Sequence, residues 1–230
     1  MMKVGLLVIA TNKYLSFARS LFHSMQNYFL NMPGVERKMF LFTNQPAFPG
    51  PVRIYQKHEP WPGMTLKRYE IFHINRHQLQ EMDFLYYCDA DMRFVDHIRC
   101  EILGERVATQ HPGYWNSPRH VLPYETNPIS TAYVAPHEGN MYYAGGFYGG
   151  SGHSFLAMAG AISENVKHDL NRGYIATWHD ESHLNRYLIN NPPSVVLNPS
   201  YCFPEAAWAQ SLPFHRILLA LDKNHAELRR

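Results

Sequence analysis

Apolar residues in the first part of the chain form short continuous runs separated by stretches of helical spacing. The run from Val4 to Ile9 is rich in branched side chains, which is typical of a parallel strand covered on both faces. Apolar positions then recur at helical spacing from Tyr14 to Leu30, and Pro33-Gly34 ends the predicted helix. Further strands are predicted at 38–43, 52–56 and 83–88. Thr65 is the predicted cap of a helix that runs to about Glu81.

The order of these elements predicts the fold class. Strands and helices alternate with short connections, which favours an α/β fold with a mostly parallel, Rossmann-like sheet and flanking helices. From Arg106 to Gly152 the pattern is irregular and dense in Pro, Gly, Tyr and His, as in loops that carry binding groups. Helical spacing resumes at 155–168 and 181–189, and the length of 230 residues fits a single domain.

Composition narrows the function classes. Twenty-one basic and 19 acidic residues give a net charge of +2, which excludes the basic field needed for nonspecific nucleic-acid binding. The three cysteines are odd in number and lack metal-ligand spacing, so we expect reduced thiols in a cytosolic protein. The first apolar run is shorter than the ~20 residues of a bilayer crossing. We therefore expect a soluble cytoplasmic protein with neither signal peptide nor membrane anchor.

The strongest chemical signal is Asp89-Ala90-Asp91, which follows the strand predicted at 83–88. In open α/β sheets ligands bind beyond the carboxyl ends of the strands, and period-two alternation turns both Asp side chains toward one point. Two neighbouring carboxylates repel each other unless a cation lies near them. Hard ions such as Mg²⁺ or Mn²⁺ prefer oxygen ligands and also bind substrate phosphates. The motif indicates a metal–diphosphate site, with a solvated strand end as the alternative.

A second group of candidate residues runs from Trp178 to His183, near a predicted helix start. Glu181 is suited to face the positive charge that develops in glycosyl chemistry. Two alternatives remain open. Asp180 or Ser182 could cap the helix, and the spacing allows a zinc site although the His-Glu-x-x-His pattern is absent.

Two further stretches are weaker signals. Residues 142–150 combine Tyr with Gly, which suits close approach to a ligand, but they match no nucleotide-loop motif and alone indicate a flexible turn. The basic residues near the end of the chain could fold over a bound diphosphate, although such residues are more often simply solvated. These residues are Lys223, His225, Arg229 and Arg230.

Together these stretches resemble glycosyltransferase family 6, which includes the blood-group A and B transferases and the α-1,3-galactosyltransferases. The resemblance covers essentially the whole chain, in order. It is carried by residues 12–14, 42–46, 67–68, 87–91, 96–97, 101–103, 111–114, 124–125, 132–133, 142–147, 178–185 and 223–225.

The resemblance implies a GT-A fold and a retaining transferase that uses a UDP-sugar and Mn²⁺ or Mg²⁺ bound by Asp89 and Asp91. It assigns residues 1–105 mainly to the nucleotide and 106–230 mainly to the acceptor, with a closing tail. Donor binding is assigned to Ala10, Asn12, Tyr14, Arg68, Asp89, Ala90, Asp91, Lys223 and Arg229. Binding of the acceptor or the transferred sugar is assigned to His111, Tyr124, Ala144, Gly145, Gly146, Trp178, His179 and Asp180. Glu181 matches the carboxylate that acts as nucleophile or stabilises an oxocarbenium-like state.

The resemblance also implies substrates. Ala144 and Gly146 are small and leave room for an N-acetyl group, so we expect UDP-GalNAc to be preferred over UDP-Gal. The expected acceptor is the 3-OH of a galactoside, with or without fucose. Unlike animal members the sequence shows no membrane anchor, and unlike some bacterial relatives it keeps both Asp residues, which predicts metal dependence. A UDP-sugar hydrolase and a non-catalytic carbohydrate-binding module are the alternatives.

Overall fold

The computed structural model describes residues 1–224 and 228. The strands in this part of the chain are Met2–Ile9 (β1), Val35–Thr43 (β2), Val52–Tyr55 (β3), Phe84–Cys88 (β4), Met92–Phe94 (β5), Arg106–Gln110 (β6), Tyr143–Ser151 (β7), Val195–Leu197 (β8), Phe203–Pro204 (β9) and Leu218–Ala220 (β10). The helices are Leu15–Tyr28 (α1), Gly63–Leu66 (α2), Arg68–Ile74 (α3), Arg76–Leu79 (α4), Gly152–Asn171 (α5) and His179–Asn190 (α6). Short 3₁₀ turns lie at Asn12–Tyr14, Cys100–Ile102, Arg119–Val121, Pro199–Cys202 and Ala207–Ser211.

The strands form two sheets. Seven strands make the central sheet in the order β3-β2-β1-β4-β7-β6-β8, and β5, β10 and β9 make a small second sheet. Only β7 breaks the parallel arrangement of the central sheet within the described residues, because it runs antiparallel to both β4 and β6. The predicted α/β domain with a mostly parallel sheet and flanking helices is therefore confirmed.

Two hydrophobic layers cover the central sheet. Leu6 and Val8 of β1 lie in a cluster with residues of α1, whereas Leu7 lies in a second cluster with residues of α3, α5 and α6. Successive side chains of a strand point to opposite faces, so the continuous apolar run of β1 is explained by burial on both sides. Because β1 and β4 are parallel, with Val4 beside Phe84, both strands end at the same edge of the sheet.

The prediction of one continuous helix from Thr65 to about Glu81 is wrong. The segment instead forms the three short helices α2, α3 and α4, interrupted at Lys67 and Asn75. Both interrupting residues have bridge-region dihedrals near φ −95° and ψ 11°. The Asn75 side chain donates to the Ile71 carbonyl and so competes with the helical hydrogen bonds. Thr65 caps no helix and lies inside α2.

Taken alone, residues 142–150 indicated a flexible turn, and this interpretation is also wrong. Most of this stretch is β7, which is buried between β4 and β6. A Cβ atom at Gly149 would lie 2.3 Å from the carbonyl oxygen of Leu85 on β4. Glycine is therefore needed here for close backbone approach within a sheet rather than for a turn.

No helix in residues 1–224 is both long and apolar enough to cross a lipid bilayer. Cys88, Cys100 and Cys202 are all free thiols.

Candidate functional site

A cavity of about 480 Å³ lies at the carboxyl ends of β1 and β4, where α/β sheets bind ligands. Residues from the end of β1, the segment before α3, the β4–β5 turn, β7, the start of α6 and the C-terminal segment line it. The site residues predicted from the sequence that line this cavity are Tyr14, Arg68, Asp89, Ala90, Asp91, Gly145, Gly146, Trp178, His179, Asp180, Glu181 and Lys223. The fold thus brings the Asp-x-Asp motif and Glu181 to one place.

Other predicted site residues lie away from the cavity lining. Ala10 is a core residue, and Asn12 pairs with Asn44, whose Nδ2 donates to Asn12 Oδ1 over 2.6 Å. His111 and Tyr124 pack around the Tyr142 ring, with centroids at 5.8 and 5.4 Å. Ala144 is buried in the hydrophobic layer that contains α1, because alternation along β7 turns it away from Gly145. Arg229, with His225 and Arg230, lies outside the described residues.

Asp89 and Asp91 are fixed by the strands on either side of them. The Asp89 nitrogen donates to the Gly146 carbonyl over 3.0 Å, which extends the β4–β7 ladder by one residue. The Asp91 carbonyl accepts from Leu221 over 2.9 Å, just after the antiparallel pairing of β5 with β10. This pairing brings Lys223 to the site, where its ammonium group forms an ion pair with the Asp91 carboxylate. The same ammonium lies 5.5 Å from the centroid of the Tyr14 ring.

Arg68 connects the two halves of the site. Its Nη1 donates to the Gly145 carbonyl over 2.9 Å, and its Nε lies 2.9 Å from Asp180 Oδ2 in an ion pair. Its Nη2 lies 3.5 Å from Asp89 Oδ1. Burial opposes the charge of Arg68, but attraction to the two carboxylates outweighs it and raises the pKa of the guanidinium. Burial raises the pKa of Asp180 to about 6 against the pull of Arg68, so this pair is mostly ionised at neutral pH.

Glu181 projects from the first turn of α6 into the cavity. Its Oε2 accepts a hydrogen bond from the Gly145 nitrogen over 2.7 Å. Burial raises the pKa of Glu181 to about 7, with a further increase from neighbouring Asp180, although the Gly145 N–H acts in the opposite direction. At neutral pH this carboxyl group is close to its midpoint of ionisation.

The backbone of Gly145 can form hydrogen bonds with both Arg68 and Glu181 because the register between β6 and β7 shifts at this point. Ala108 pairs with Tyr148, but the next paired residue, Gln110, is opposite Tyr143, so several residues of β7 lie against one of β6. Such irregularities leave backbone groups unpaired and commonly lie beside functional sites. Here the N–H and the carbonyl of Gly145 both bind side chains of the cavity instead of β6.

Asn185 anchors the helix that carries Glu181. Its Oδ1 accepts from the Tyr143 nitrogen over 2.8 Å, and its Nδ2 donates to the carbonyls of Tyr143 and Glu181, each over 2.9 Å. The side chain is buried, so these bonds fix α6 against β7 without competition from water.

Sequence reasoning missed several residues of the site. The Tyr87 hydroxyl donates to Asp89 Oδ1 over 2.5 Å, and the period-two alternation of β4, which places both residues on one face, could have revealed it. Thr11 Oγ1 and His58 Nδ1 form a hydrogen bond of 2.8 Å at the cavity. Trp61 lies edge-on to His179, with centroids 5.1 Å apart. The contacts of His58 and Trp61 join segments distant in sequence, and no local pattern indicated them.

The donor set suits a hard cation that takes its remaining ligands from a phosphate or from water. Asp89 and Asp91 both line the cavity with carboxylate oxygens, and the Lys223 ammonium on Asp91 shows that a positive charge is accepted there. Among the described residues there is no cluster of three or more His, Cys, Asp or Glu side chains that could hold an ion alone.

Comparison with known proteins shows that the sequence is similar to those of glycosyltransferases. The family model for glycosyltransferase family 6 matches residues 1–230. The rat histo-blood group ABO system transferase 1 is 34% identical, over 98% of this chain and 68% of the rat protein. The dog globoside α-1,3-N-acetylgalactosaminyltransferase 1 is 36% identical over 88% of this chain and 61% of its own length. Human α-1,3-galactosyltransferase 2 is 28% identical over 87% of this chain. The chain spans about two thirds of the length of these relatives.

Proposed function

The chain belongs to glycosyltransferase family 6, and we propose that it moves GalNAc or Gal from a UDP-sugar to the 3-OH of a galactose-containing acceptor, forming an α-1,3 linkage. One observation carries the proposal. Asp89 and Asp91 line one cavity together with Glu181, and Arg68 bridges the Asp89 side of the site to Asp180 and Gly145. This arrangement provides a site for a diphosphate beside a carboxylate that can face an anomeric carbon.

The diphosphate of the donor would bind at the Asp89 and Asp91 side of the cavity. Asp89 and Asp91 would hold a divalent ion such as Mn²⁺ or Mg²⁺, which would supply charge stabilisation to the leaving diphosphate. Lys223 adds an ammonium group at the same place, and buried Arg68 adds a guanidinium. Cations in a shielded site stabilise developing negative charge more strongly than they would in water. Arg229, which lies outside the described residues, is proposed to act on the same diphosphate.

Glu181 would act at the anomeric carbon of the donor. The bond between that carbon and the diphosphate oxygen breaks, and the sugar gains oxocarbenium character that an anionic carboxylate stabilises. The acceptor hydroxyl then forms its bond on the face that the diphosphate left, and its proton passes to the diphosphate, so configuration is retained. The Gly145 N–H, which donates to Glu181 Oε2 over 2.7 Å, would hold the carboxylate in place. Formation of a covalent adduct with Glu181 and stabilisation of an ion pair are both compatible with this placement.

Gly146 is the residue on which the choice of sugar is proposed to depend. A Cβ atom there would lie 3.0 Å from Cys202 Sγ and 3.5 Å from Asp89 Oδ2, so a larger residue would intrude beside the diphosphate site. The similarity to the dog enzyme, whose name specifies N-acetylgalactosamine, favours UDP-GalNAc as the donor. Ala144 faces the core and has no direct part in this choice. Trp178 and His179 at the cavity, with His111 and Tyr124 further out, are assigned to the acceptor side.

The proposed reaction is tested by incubating the purified protein with Mn²⁺ and either UDP-GalNAc or UDP-Gal, with and without galactoside acceptors. Nuclear magnetic resonance of the product would report the linkage and the anomer. An α-1,3-linked product supports the proposal. UDP release at the same rate without acceptor would instead identify a UDP-sugar hydrolase, and acceptor binding without any UDP release would identify a carbohydrate-binding module.

The metal is tested in the same assay. Excess chelator should abolish transfer, and Asp89→Asn with Asp91→Asn should abolish Mn²⁺-dependent binding of UDP. Asp83→Asn is a suitable control, because Asp83 lies at the opposite end of β4, where its side chain accepts from the Lys3 nitrogen. Full transfer activity in excess chelator would show that the reaction does not need a metal ion.

A further inference from the structure

The two carboxylate oxygens of Asp89 have different surroundings. Oδ1 accepts a hydrogen bond of 2.5 Å from the Tyr87 hydroxyl and lies 3.5 Å from Arg68 Nη2. Oδ2 is on the side of Gly146, where a Cβ atom would lie 3.5 Å from it. Both Asp89 and Gly146 line the cavity, and the contacts with Tyr87 and Arg68 are both made by Oδ1.

The Tyr87 ring is held firmly in place. Only 3% of the residue is exposed, and its ring packs against Phe72 and Tyr148 at centroid distances of 5.6 and 5.4 Å. The Arg68 guanidinium lies over the ring at 4.3 Å, within the range of a cation–π contact. The hydroxyl at the end of this ring is therefore a donor with a fixed position rather than a mobile group.

The adjacent Tyr86 shows what a purely structural tyrosine does in this strand. It points to the opposite face of β4, is fully buried, and donates to the backbone carbonyl of Ile102 over 2.6 Å. A neutral carbonyl is thus sufficient to satisfy a buried phenol in this strand. Tyr87 instead donates to the carboxyl group of Asp89 at the cavity, and hydrogen bonds from a hydroxyl to a carboxylate are short and strong.

We propose that Tyr87 is a positioning residue of the metal–diphosphate site, which holds Asp89 Oδ1 so that Oδ2 is presented to a divalent ion. The proposal rests on the proposed function, since it assigns Asp89 to a metal. Arg68 shares the task, because it contacts both the ring of Tyr87 and the oxygen that Tyr87 holds. Hydrogen bonds that orient a metal-ligating carboxylate typically contribute about 10- to 100-fold to metal affinity.

The test compares Tyr87→Phe with Tyr86→Phe in the full chain. Each substitution removes one hydroxyl and one hydrogen bond from β4, and each keeps the ring, so Arg68 retains its cation–π contact in Tyr87→Phe. Mn²⁺ binding is measured by electron paramagnetic resonance and by calorimetry in the presence of UDP, after circular dichroism has verified folding. We expect Tyr87→Phe to raise the Kd for Mn²⁺ by about 10- to 100-fold, and Tyr86→Phe to leave it unchanged.

A kinetic measurement separates positioning from a general structural role. In Tyr87→Phe the KM for Mn²⁺ should rise by a larger factor than kcat falls at saturating Mn²⁺, because excess metal compensates for a poorly held ligand. If the two variants bind Mn²⁺ with equally reduced affinity, loss of strand packing explains the effect and the inference is overturned. It is also overturned if Tyr87→Phe binds Mn²⁺ as tightly as the wild type. If the wild-type protein itself shows no Mn²⁺-dependent binding of UDP, the proposed metal site fails, and that result is distinct from the other two.

Discussion

Glu181 Oε2 lies 2.7 Å from the backbone nitrogen of Gly145 and accepts its hydrogen. The contact joins the first turn of α6 to the irregular part of β7, so the position of the proposed catalytic carboxylate is set by the sheet. The donor is a backbone group, which no substitution of a side chain removes directly. Changes on either side of this hydrogen bond are therefore informative about catalysis.

Glu181→Gln should lower kcat by about two to three orders of magnitude, because the neutral amide cannot stabilise positive charge on the sugar. Binding of UDP with Mn²⁺ should be nearly unaffected, since Glu181 is not assigned to the diphosphate. Steady-state kinetics and calorimetry measure the two effects separately. Glu164→Gln, on the exposed side of α5, is the control and should behave as the wild type. Retention of more than a tenth of the wild-type kcat in Glu181→Gln would remove Glu181 from the mechanism.

Gly145→Ala tests the same contact from the other side. The added methyl carbon would lie 3.2 Å from Glu181 Oε2, tighter than ordinary van der Waals contact, so the carboxylate must shift. We expect kcat to fall by roughly tenfold, since small misplacements of catalytic groups are costly, while the Kd for UDP with Mn²⁺ changes little. Gly160→Ala is a matched control, because its methyl carbon would be similarly tight, 3.1 Å from His73 Nδ1, away from the cavity. Equal kinetics for both variants and the wild type would show that Glu181 tolerates displacement.

Arg68→Met should destabilise the fold as well as abolish transfer. It leaves the buried carboxylate of Asp180 without its ion-pair partner, and such removals cost about 3 kcal/mol or more of unfolding free energy. Urea denaturation followed by circular dichroism measures the loss. The double variant Arg68→Met/Asp180→Leu should recover part of this stability, because no unpaired carboxylate then remains at that position, while activity stays absent. A double variant less stable than Arg68→Met would show that Asp180 is stabilised by contacts other than Arg68.

The pH dependence of kcat/KM should follow Glu181. Burial raises the pKa of this group to about 7, and only the anion can stabilise positive charge, so kcat/KM should rise between pH 5.5 and 8 with a midpoint near 7. Asp180, with a pKa of about 6, titrates nearby, so the midpoint is a property of the pair. An exposed glutamate would give a midpoint closer to its usual value of about 4.3.

Acid unfolding should not account for that loss of activity. A carboxyl group whose pKa is raised in the folded state contributes stability below its unfolded pKa and loses this contribution as the pH rises through the folded value. Asp180 and Glu181 therefore favour the folded state more at pH 5.5 than at pH 8. Circular dichroism across the same pH range provides the check, and a flat kcat/KM profile would contradict the assignment of Glu181.

Local patterns predicted the strands β1 to β4 and the helices α1, α5 and α6, but neither the later strands nor the breaks between α2, α3 and α4. The continuous apolar run of β1 and the helical spacing of α5 and α6 are strong local signals, and the structure has these elements within a few residues of the predicted ends. The helix interruptions at Lys67 and Asn75 are not marked by any comparable pattern in the sequence. The strand β7 was missed because its glycines are required by contact with Leu85 on a neighbouring strand, which is distant in sequence.

The site was predictable where one short segment carries several functional groups. Asp89 and Asp91 follow a strand, and Asp180 and Glu181 open a helix, so their places could be inferred from the order of elements. Contacts between segments distant in the chain, such as Thr11 with His58, could not be inferred in this way. The orientation of Ala144 toward the core, away from the cavity side of Gly145, follows from strand alternation and could be inferred only once β7 was known to be a strand.

The pairing of β5 with β10 has a consequence for biosynthesis. A nascent polypeptide that has emerged from the ribosome only as far as Arg216 already holds Asp91 and Glu181, but it lacks the strand that brings Lys223 to Asp91. Capture of a sugar nucleotide would therefore be completed only after β10 and Lys223 have been translated. Premature termination before residue 218 would yield a product whose acidic residues lack this cationic partner.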